Sequence, residues 1–325
     1  MSDSSRVALI GAGVAGFCVY RAMKDAGLEV LWFGAVNGSQ RPPAALMHAF
    51  PGRSFDVPSE LHDAFSVALK WCEREFESVA VQVERHLEPG SREERSFHRV
   101  KDRFPDLLQW ELSGEYLRYS PAYVVDLRAM STSGLIDEEV EAVVVREAGI
   151  EVIASKTYHV DALVVCPGAA LSDWWECRHT IYGGEFVSTR EYHPNHVWSD
   201  DAHYLPTKDG CTLGFTFLED GVLRSDLEVL EEFRRRSGLG LEDGEVWRGR
   251  RVVHHDRQPI CGEITPRVWL LGALGARGLL LSPFLSECIR GQVLGQARKV
   301  PALFDVNRSE GKLGPKIRLA PGDLG

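Results

Sequence analysis

What this chain lacks sets the first limits on what it can be. Nowhere in its 325 residues is there an apolar run of membrane-spanning length. Its seven cysteines (Cys18, Cys72, Cys166, Cys177, Cys211, Cys261, Cys288) include no C-x-x-C pair. Their odd number and apolar surroundings read as reduced core thiols. The polar first six residues lead straight into an apolar run without a signal-peptide pattern, so a cytoplasmic protein without membrane segments is expected. A basic excess is missing too: 37 Lys and Arg face 47 Asp and Glu, a net charge of −10. That disfavours a nonspecific nucleic-acid binder and leaves a local basic patch open. The most specific gap is local, since no acidic residue lies between Val30 and Pro51.

What is present is a globular composition, 44% hydrophobic and 26% charged, on a chain long enough for a large core and two domains. Residues 7–34 organise it. Val7, Ala8, Leu9 and Ile10 suit a buried parallel strand, and Gly11, Gly13 and Gly16 follow at G-x-G-x-x-G spacing. Gly11 permits the tight turn, Gly13 lets backbone approach a pyrophosphate, and Gly16 lets the helix lie close on the strand. Free N–H groups around Val14 and Ala15 then face the phosphates. Val14, Phe17, Cys18 and Ala22 mark one helical face, Gly27 a stop, and residues 29–33 a second strand. The acid that usually ends this second strand and binds the adenosine ribose is replaced by Gly34. Backbone, Asn37, Ser39 or Arg41 must hold the ribose instead, or the site has decayed.

Farther along, Leu61, Phe65, Ala68, Leu69, Cys72, Phe76 and Val79 predict a helix from Ser59. Residues 84–103, charged in both signs and broken at Pro89 and Gly90, read as a hairpin or exposed connection. A helix is expected near 128–136, paired strands over 140–146 and 149–154, and a buried strand ending at Gly168. Residues 174–249 read as antiparallel strands followed by a helix capped by Ser225 and Glu228, with Leu227, Leu230 and Phe233 inward and Gly238 at its end. His193, His196, Asp200, Asp201 and His203 invite a shared metal ion, but their spacing matches no metal motif and a polar hairpin tip is the better reading. No metal is expected.

The last block carries a resemblance. Trp247-Arg248-Gly249-Arg250-Arg251, then Asp256-Arg257-Gln258-Pro259-Ile260-Cys261-Gly262, then Gly272-Ala273-Leu274-Gly275-Ala276-Arg277-Gly278-Leu279 occur in that order. They resemble the C-terminal portion of the D-amino-acid oxidase and glycine oxidase (DAO) family of FAD-dependent oxidoreductases. The Gly-Ala-Leu-Gly-Ala-Arg-Gly form is most similar to the oxidase half of the bifunctional bacterial enzymes that mature the tRNA wobble uridine. Residues 39–51, with Ser39, Arg41, Ala45 and Leu46, resemble the flavin-contacting segment of those enzymes, and the strand ending at Gly168 resembles one beside the cofactor. The resemblance covers about half the chain. It implies an α/β fold: a Rossmann-like FAD-binding domain of glutathione-reductase type from residues 1–56, 130–176 and 252–300, and an α+β, antiparallel-sheet substrate domain from 57–129 and 177–251. A tail, 301–325, packs across the molecule or reaches a partner.

Chemistry gives the glycine-rich block a role beside the name. Gly272, Gly275 and Gly278 let backbone approach a flat ligand, together with Ala276 and Leu279, while Ser282 and Pro283 begin a helix running through Ile289 and Val293. That helix start and Arg277 would stabilise negative charge on a reduced flavin, or else Arg277 is a surface cation. The resemblance implies that Arg251 clamps a substrate carboxylate, with Arg248 and Arg250 as alternatives on a strand that sends neighbours to opposite faces. His254 and His255 either help with an amine or simply finish the strand. The expected function is oxidation of the C–N bond of a small amine or amino acid by hydride transfer to FAD, with no catalytic triad. Modification of the tRNA wobble uridine is the alternative in the same fold, and acidity disfavours tRNA as a partner. A third reading is a non-catalytic nucleotide-binding scaffold, supported by Gly34.

Overall fold

The computed structural model describes residues 5–320 apart from 36–40, 52–54, 56–57, 104–105, 191, 193, 195–196, 200–202, 215–217 and 220–223. Of the residues singled out above, Asn37, Ser39, His193, His196, Asp200 and Asp201 lie outside the described residues.

Five short strands of 4 to 6 residues and a two-residue strand build a six-stranded sheet. Its order is Ile260–Thr265, Val268–Gly272, Ala162–Val165, Arg6–Ile10, Glu29–Phe33 and Leu135–Ile136, parallel except for the first pair. Strand alternation assigns the two faces. Val7, Leu9, Ala162 and Val164 join the core beneath the helices Val14–Asp25, Glu60–Arg74 and Gly278–Val293. Ala8, Ile10, Leu163 and Val165 pack instead against Val143, Val145, Ile150 and Val152 of a four-stranded sheet. In that sheet Ala142–Arg146 and Gly149–Ile153 pair antiparallel as expected.

The other half is one large curled sheet of ten strands. Ala44–Met47, Tyr116–Asp126, Ser78–His86, Val197–Ser199, His203–Thr207, Gly210–Gly214, His179–Thr189 and Leu218–Glu219 follow one another in it. Glu245–His254 pairs with His179–Thr189, and Gln109–Ser113 with Tyr116–Asp126. The curl brings His203–Thr207 against Ala44–Met47 and Tyr116–Asp126.

Several local expectations change. Residues 128–136 form no helix; a strand ends at Asp126, and a turn leads to Leu135–Ile136, which joins the six-stranded sheet beside Glu29–Phe33. The stretch 84–103 continues a strand to His86 and then forms the helix Arg92–Val100, where Ser91 Oγ accepts from Glu94 N at 3.0 Å. Phe97 pins that helix by edge contacts with Phe50 and Phe55, an aromatic cluster that charge counting does not register. The strand leading to Gly168 breaks at Asp161, whose carboxylate accepts from Arg6 N, so residues 157–160 and 162–165 serve different sheets. The capping box of Ser225 and Glu228 and the left-handed Gly238 are present, but Leu227 is 62% exposed and Val229 is buried with Phe233. The last helix starts at Gly278, not at Ser282, which leaves Pro283 inside it.

Residues 301–320 dock on the half that contains the six-stranded and four-stranded sheets. Ile317–Leu319 runs parallel to Ala142–Arg146, Lys312–Leu313 pairs with Trp175–Glu176, and Trp175 Nε1 donates to Ser309 Oγ. Among the described residues no helix is long and apolar enough to cross a membrane.

Candidate active site

The cofactor cradle is made of backbone at the C-terminal ends of the parallel strands. Gly11 has φ 115°, and a Cβ there would stand 2.1 Å from the Cys166 carbonyl oxygen; one on Gly16 would stand 1.9 Å from the Gly11 oxygen. Gly13 differs, because a Cβ there meets no described atom within 4 Å. The helix Val14–Asp25 starts with neither a side-chain cap nor an acid in its first turn among the described residues. Its first amides therefore point into an opening that suits a pyrophosphate. Val14 is half-buried and Ala15 buried behind it. Trp32 Nε1 donates to the Gly11 carbonyl at 2.8 Å and stacks on Tyr20.

A second helix start converges on the first. A Cβ on Gly278 would lie 3.0 Å from Val14 Cγ1, and the helix Gly278–Val293 likewise begins without a side-chain cap or an acid. The preceding loop turns through left-handed Ala273 and Gly275. Gly272 has its α-carbon against Leu171, Ala276 is exposed, and Leu279 is buried beneath the loop. Gly168, left-handed and exposed, follows the neighbouring strand. Ala45 and Leu46 are half-open between buried Ala44 and Met47. These features fit the pyrophosphate and ring of FAD.

At the position of the missing acid, a Cβ on Gly34 would lie 3.0 Å from Ala12 Cβ. Arg41 reaches the same residue, donating to the Ala12 carbonyl at 2.5 Å and to the Met130 carbonyl at 2.8 Å, and burial lowers its pKa. A cation thus stands where such folds commonly place a carboxylate.

The side built on the ten-stranded sheet is made of side chains. On the strand Glu245–His254, Arg250 is exposed, and Arg248 donates to the Arg224 carbonyl at 2.6 Å and pairs with Asp226. Arg251 points to the other face, its guanidinium 5.4 Å from the Phe186 ring centroid; Gly184 leaves room for it, and burial lowers its pKa. Near it is His203, pushed down to about 4 by burial and then by the cations of Arg251 and Arg85. Its Nδ1 is buried and has no hydrogen-bond partner among the described residues. His48, also held well below its ordinary value by burial, His203 and Arg85, has Nδ1 2.7 Å from the Tyr119 hydroxyl. Arg85 lies buried over the Phe55 ring at 4.3 Å. Arg251, Arg85, His203 and His48 thus form one cluster in which both imidazoles are held toward their neutral forms.

The structure therefore separates the two arginines expected to act. Arg251 lies beside His203, whereas Arg277 is engaged at the base of the glycine loop, donating to Gln258 Oε1 at 3.0 Å and to the Arg257 carbonyl. His254 and His255 bond each other at 3.2 Å, and His254 bonds Asp256 at 2.7 Å, which finishes the strand. Sequence reasoning weighed His203 in a metal set and preferred a polar hairpin tip, took His48 only as one residue of the flavin-contacting segment 39–51, and passed over Arg85, which nothing in residues 84–86 distinguishes.

The sequence profile of the FAD dependent oxidoreductase family, DAO, matches residues 58–290. The bifunctional protein MnmC of tRNA 5-methylaminomethyl-2-thiouridine biosynthesis from Caulobacter sp. (strain K31) is 25% identical, over 96% of this chain and 58% of its own length. The chain thus spans little more than half of that curated relative. Iminodiacetate oxidase from Chelativorans sp. BNC1 superposes with a TM-score of 0.71 at 20% identity, covering 92% of this chain and 98% of that one. Glycine oxidase from Geobacillus kaustophilus gives 0.70 at 18% identity, covering 94% and 99%. With the profile spanning well over half of its residues and a cradle that fits the dinucleotide, the chain belongs to the DAO family of FAD-dependent oxidoreductases, and FAD is its cofactor.

Proposed function

We propose that the chain oxidises the C–N bond of a small amine that carries a carboxylate, an amino acid or an N-substituted one. The observation that carries this reading is the half-buried Arg251 guanidinium, desolvated enough to lower its pKa, beside His203, whose Nδ1 lacks a partner among the described residues. Arg251 holds the carboxylate through its two-pronged donor edge. Arg251 and Arg85 together repel an ammonium ion, so the amine enters neutral, having left its proton in solvent. His203, itself neutral, accepts an N–H of that amine and fixes its orientation. FAD, when bound, supplies the hydride acceptor. Placement, not proton transfer by the protein, is then the contribution of these side chains. The names of the structural neighbours, iminodiacetate oxidase and glycine oxidase, agree with a substrate of this class. Seven free cysteines suit a reducing cytoplasm.

The test is the visible spectrum of the purified protein before and after acid precipitation and anaerobic addition of glycine, sarcosine and iminodiacetate. Release of a flavin by acid and bleaching by one of these carboxylates supports the reading. A flavin that bleaches with none of them overturns it. A second reading, modification of the tRNA wobble uridine, rests on the alignment with the MnmC protein over nearly the whole chain. Bleaching only by tRNA would establish that alternative; the net charge of −10 disfavours it.

A further inference from the structure

The family profile ends at residue 290, yet the segment after it touches the cofactor loop through one intervening turn. Arg308 is the contact. Its Nε donates to Asp256 Oδ2 at 2.9 Å and one terminal nitrogen to Asp256 Oδ1 at 3.3 Å and to the Gln258 carbonyl at 3.1 Å; the other reaches the Asp305 carbonyl at 2.9 Å. Asp256 Oδ1 also accepts from Gln258 N at 2.8 Å and bonds His254. Burial pulls the Asp256 carboxyl upward, but Arg308 and His254 hold it well below the usual carboxylate range, so it stays charged. The turn these bonds enclose carries Arg257 at φ 62°, a conformation that a non-glycine residue keeps only when its surroundings impose it.

The opposite side of that turn holds Arg277. Its two acceptors, the Arg257 carbonyl and Gln258 Oε1, both belong to residues that Arg308 and Asp256 fix in place. Arg277 in turn precedes Gly278, where the last helix begins. Val306, the neighbour of Arg308 by two residues, packs on the α-carbon of Gly262, and Cys261 N donates to the Phe304 carbonyl, so the segment is seated beside the turn independently of Arg308.

We propose that Arg308 is a positioning residue for the cofactor loop: by clamping residues 256–258 it fixes the acceptors that aim Arg277, and so couples docking of the C-terminal segment to FAD binding. This rests on the reading of residues 272–278 as the flavin-facing loop. A guanidinium bridging a carboxylate and two carbonyls is suited to the task, because its fork orients all its partners at once.

The experiment is a double-mutant cycle on the reconstituted holoprotein, reading the FAD dissociation constant and the flavin midpoint potential for Arg277→Gln, Arg308→Gln and their combination. Each single variant is expected to weaken FAD about tenfold, as for loss of a charged hydrogen bond, and to lower the potential; the double variant should be no worse than Arg277→Gln alone. Arg308→Lys, which keeps the charge and loses the fork, should fall between, and it decides the cycle if Arg308→Gln does not fold. Lys312→Ala, which removes the exposed pair with Glu176 on the same segment, should behave as wild type. Wild-type values for Arg308→Gln beside a shifted Arg277→Gln overturn the relay. So do losses that multiply in the double variant, or an equal loss in Lys312→Ala. Wild-type values for Arg277→Gln overturn the loop reading and the relay with it.

Discussion

Where the six-stranded sheet meets the cofactor, it offers main chain: Gly11, Gly13 and Gly16, two uncapped helix starts, and a loop of small residues. Where the ten-stranded sheet would meet the proposed substrate, it offers side chains gathered from four places, His48, Arg85, His203 and Arg251. A backbone site depends on what is absent from a side chain, and it tolerates no added atom where the chain passes closely. A side-chain site depends on charge in a poorly solvated space, and it responds to chemistry and to pH.

The strongest way to break the contrast is to add one methyl group. Gly11→Ala places a carbon on the Cys166 carbonyl and forces a left-handed residue, so it should cost about 3 kcal/mol or more and give protein without flavin. Gly13→Ala sharpens the point, since its methyl meets only the space meant for phosphate. It should leave apo stability within about 1 kcal/mol while FAD affinity falls. Chemical denaturation and flavin content of purified protein check both, and equal losses for the two variants would contradict the cradle. On the other sheet, Arg251→Gln should leave the flavin spectrum intact and raise KM for a carboxylate substrate about a hundredfold, the cost of leaving a charged group without its partner. Steady-state kinetics with a decarboxylated analogue, indifferent to the change, completes that test.

Protonation probes the same cluster more gently. Folded His203 titrates at about 4, against about 6.5 for an unfolded histidine, so between these values only the unfolded chain takes up the proton. Stability is therefore full above about pH 6.5 and declines as pH falls toward 4, by about 1.4 kcal/mol per pH unit for this group. His48 acts in the same sense. Urea titrations at pH 7 and pH 5 should show the loss, and His203→Asn should flatten it; an unchanged slope in that variant would place the proton elsewhere. The smallest effect lies outside both sites: exposed Leu227→Glu should change stability by less than about 0.5 kcal/mol, checked by the same titration.

The contrast also explains what the sequence could reveal. The glycine cradle was legible because its spacing is local: a strand, a turn and a helix within 25 residues encode it. Arg251 stood out in the sequence only through a family-like order of motifs, since Arg248 and Arg250 share its strand and only the structure shows which of them faces His203. His48 and His203 meet because the sheet curls, and curvature depends on contacts between strands more than 150 residues apart in sequence. The helix over 92–100 escaped for a related reason, since its anchors Phe97 and Val100 are few and Phe97 gains its meaning from Phe50 and Phe55. Gly34 marked a real departure in the sequence, but the cation now beside it, Arg41, reaches Ala12 across a distance that no spacing rule encodes.

Trp32 draws one more consequence from the cradle. Its indole N–H is tied to the Gly11 carbonyl, its ring lies 4.6 Å from that of Tyr20, and it is fully buried beneath the loop that FAD must touch. Such an indole is a built-in optical gauge: when an isoalloxazine occupies the molecule, excitation energy passes from indole to flavin and ultraviolet emission is quenched. Because that emission comes from inside the loop, subtracting the signal of Trp32→Phe from that of the native chain isolates the arrival of the cofactor from the light of the other tryptophans.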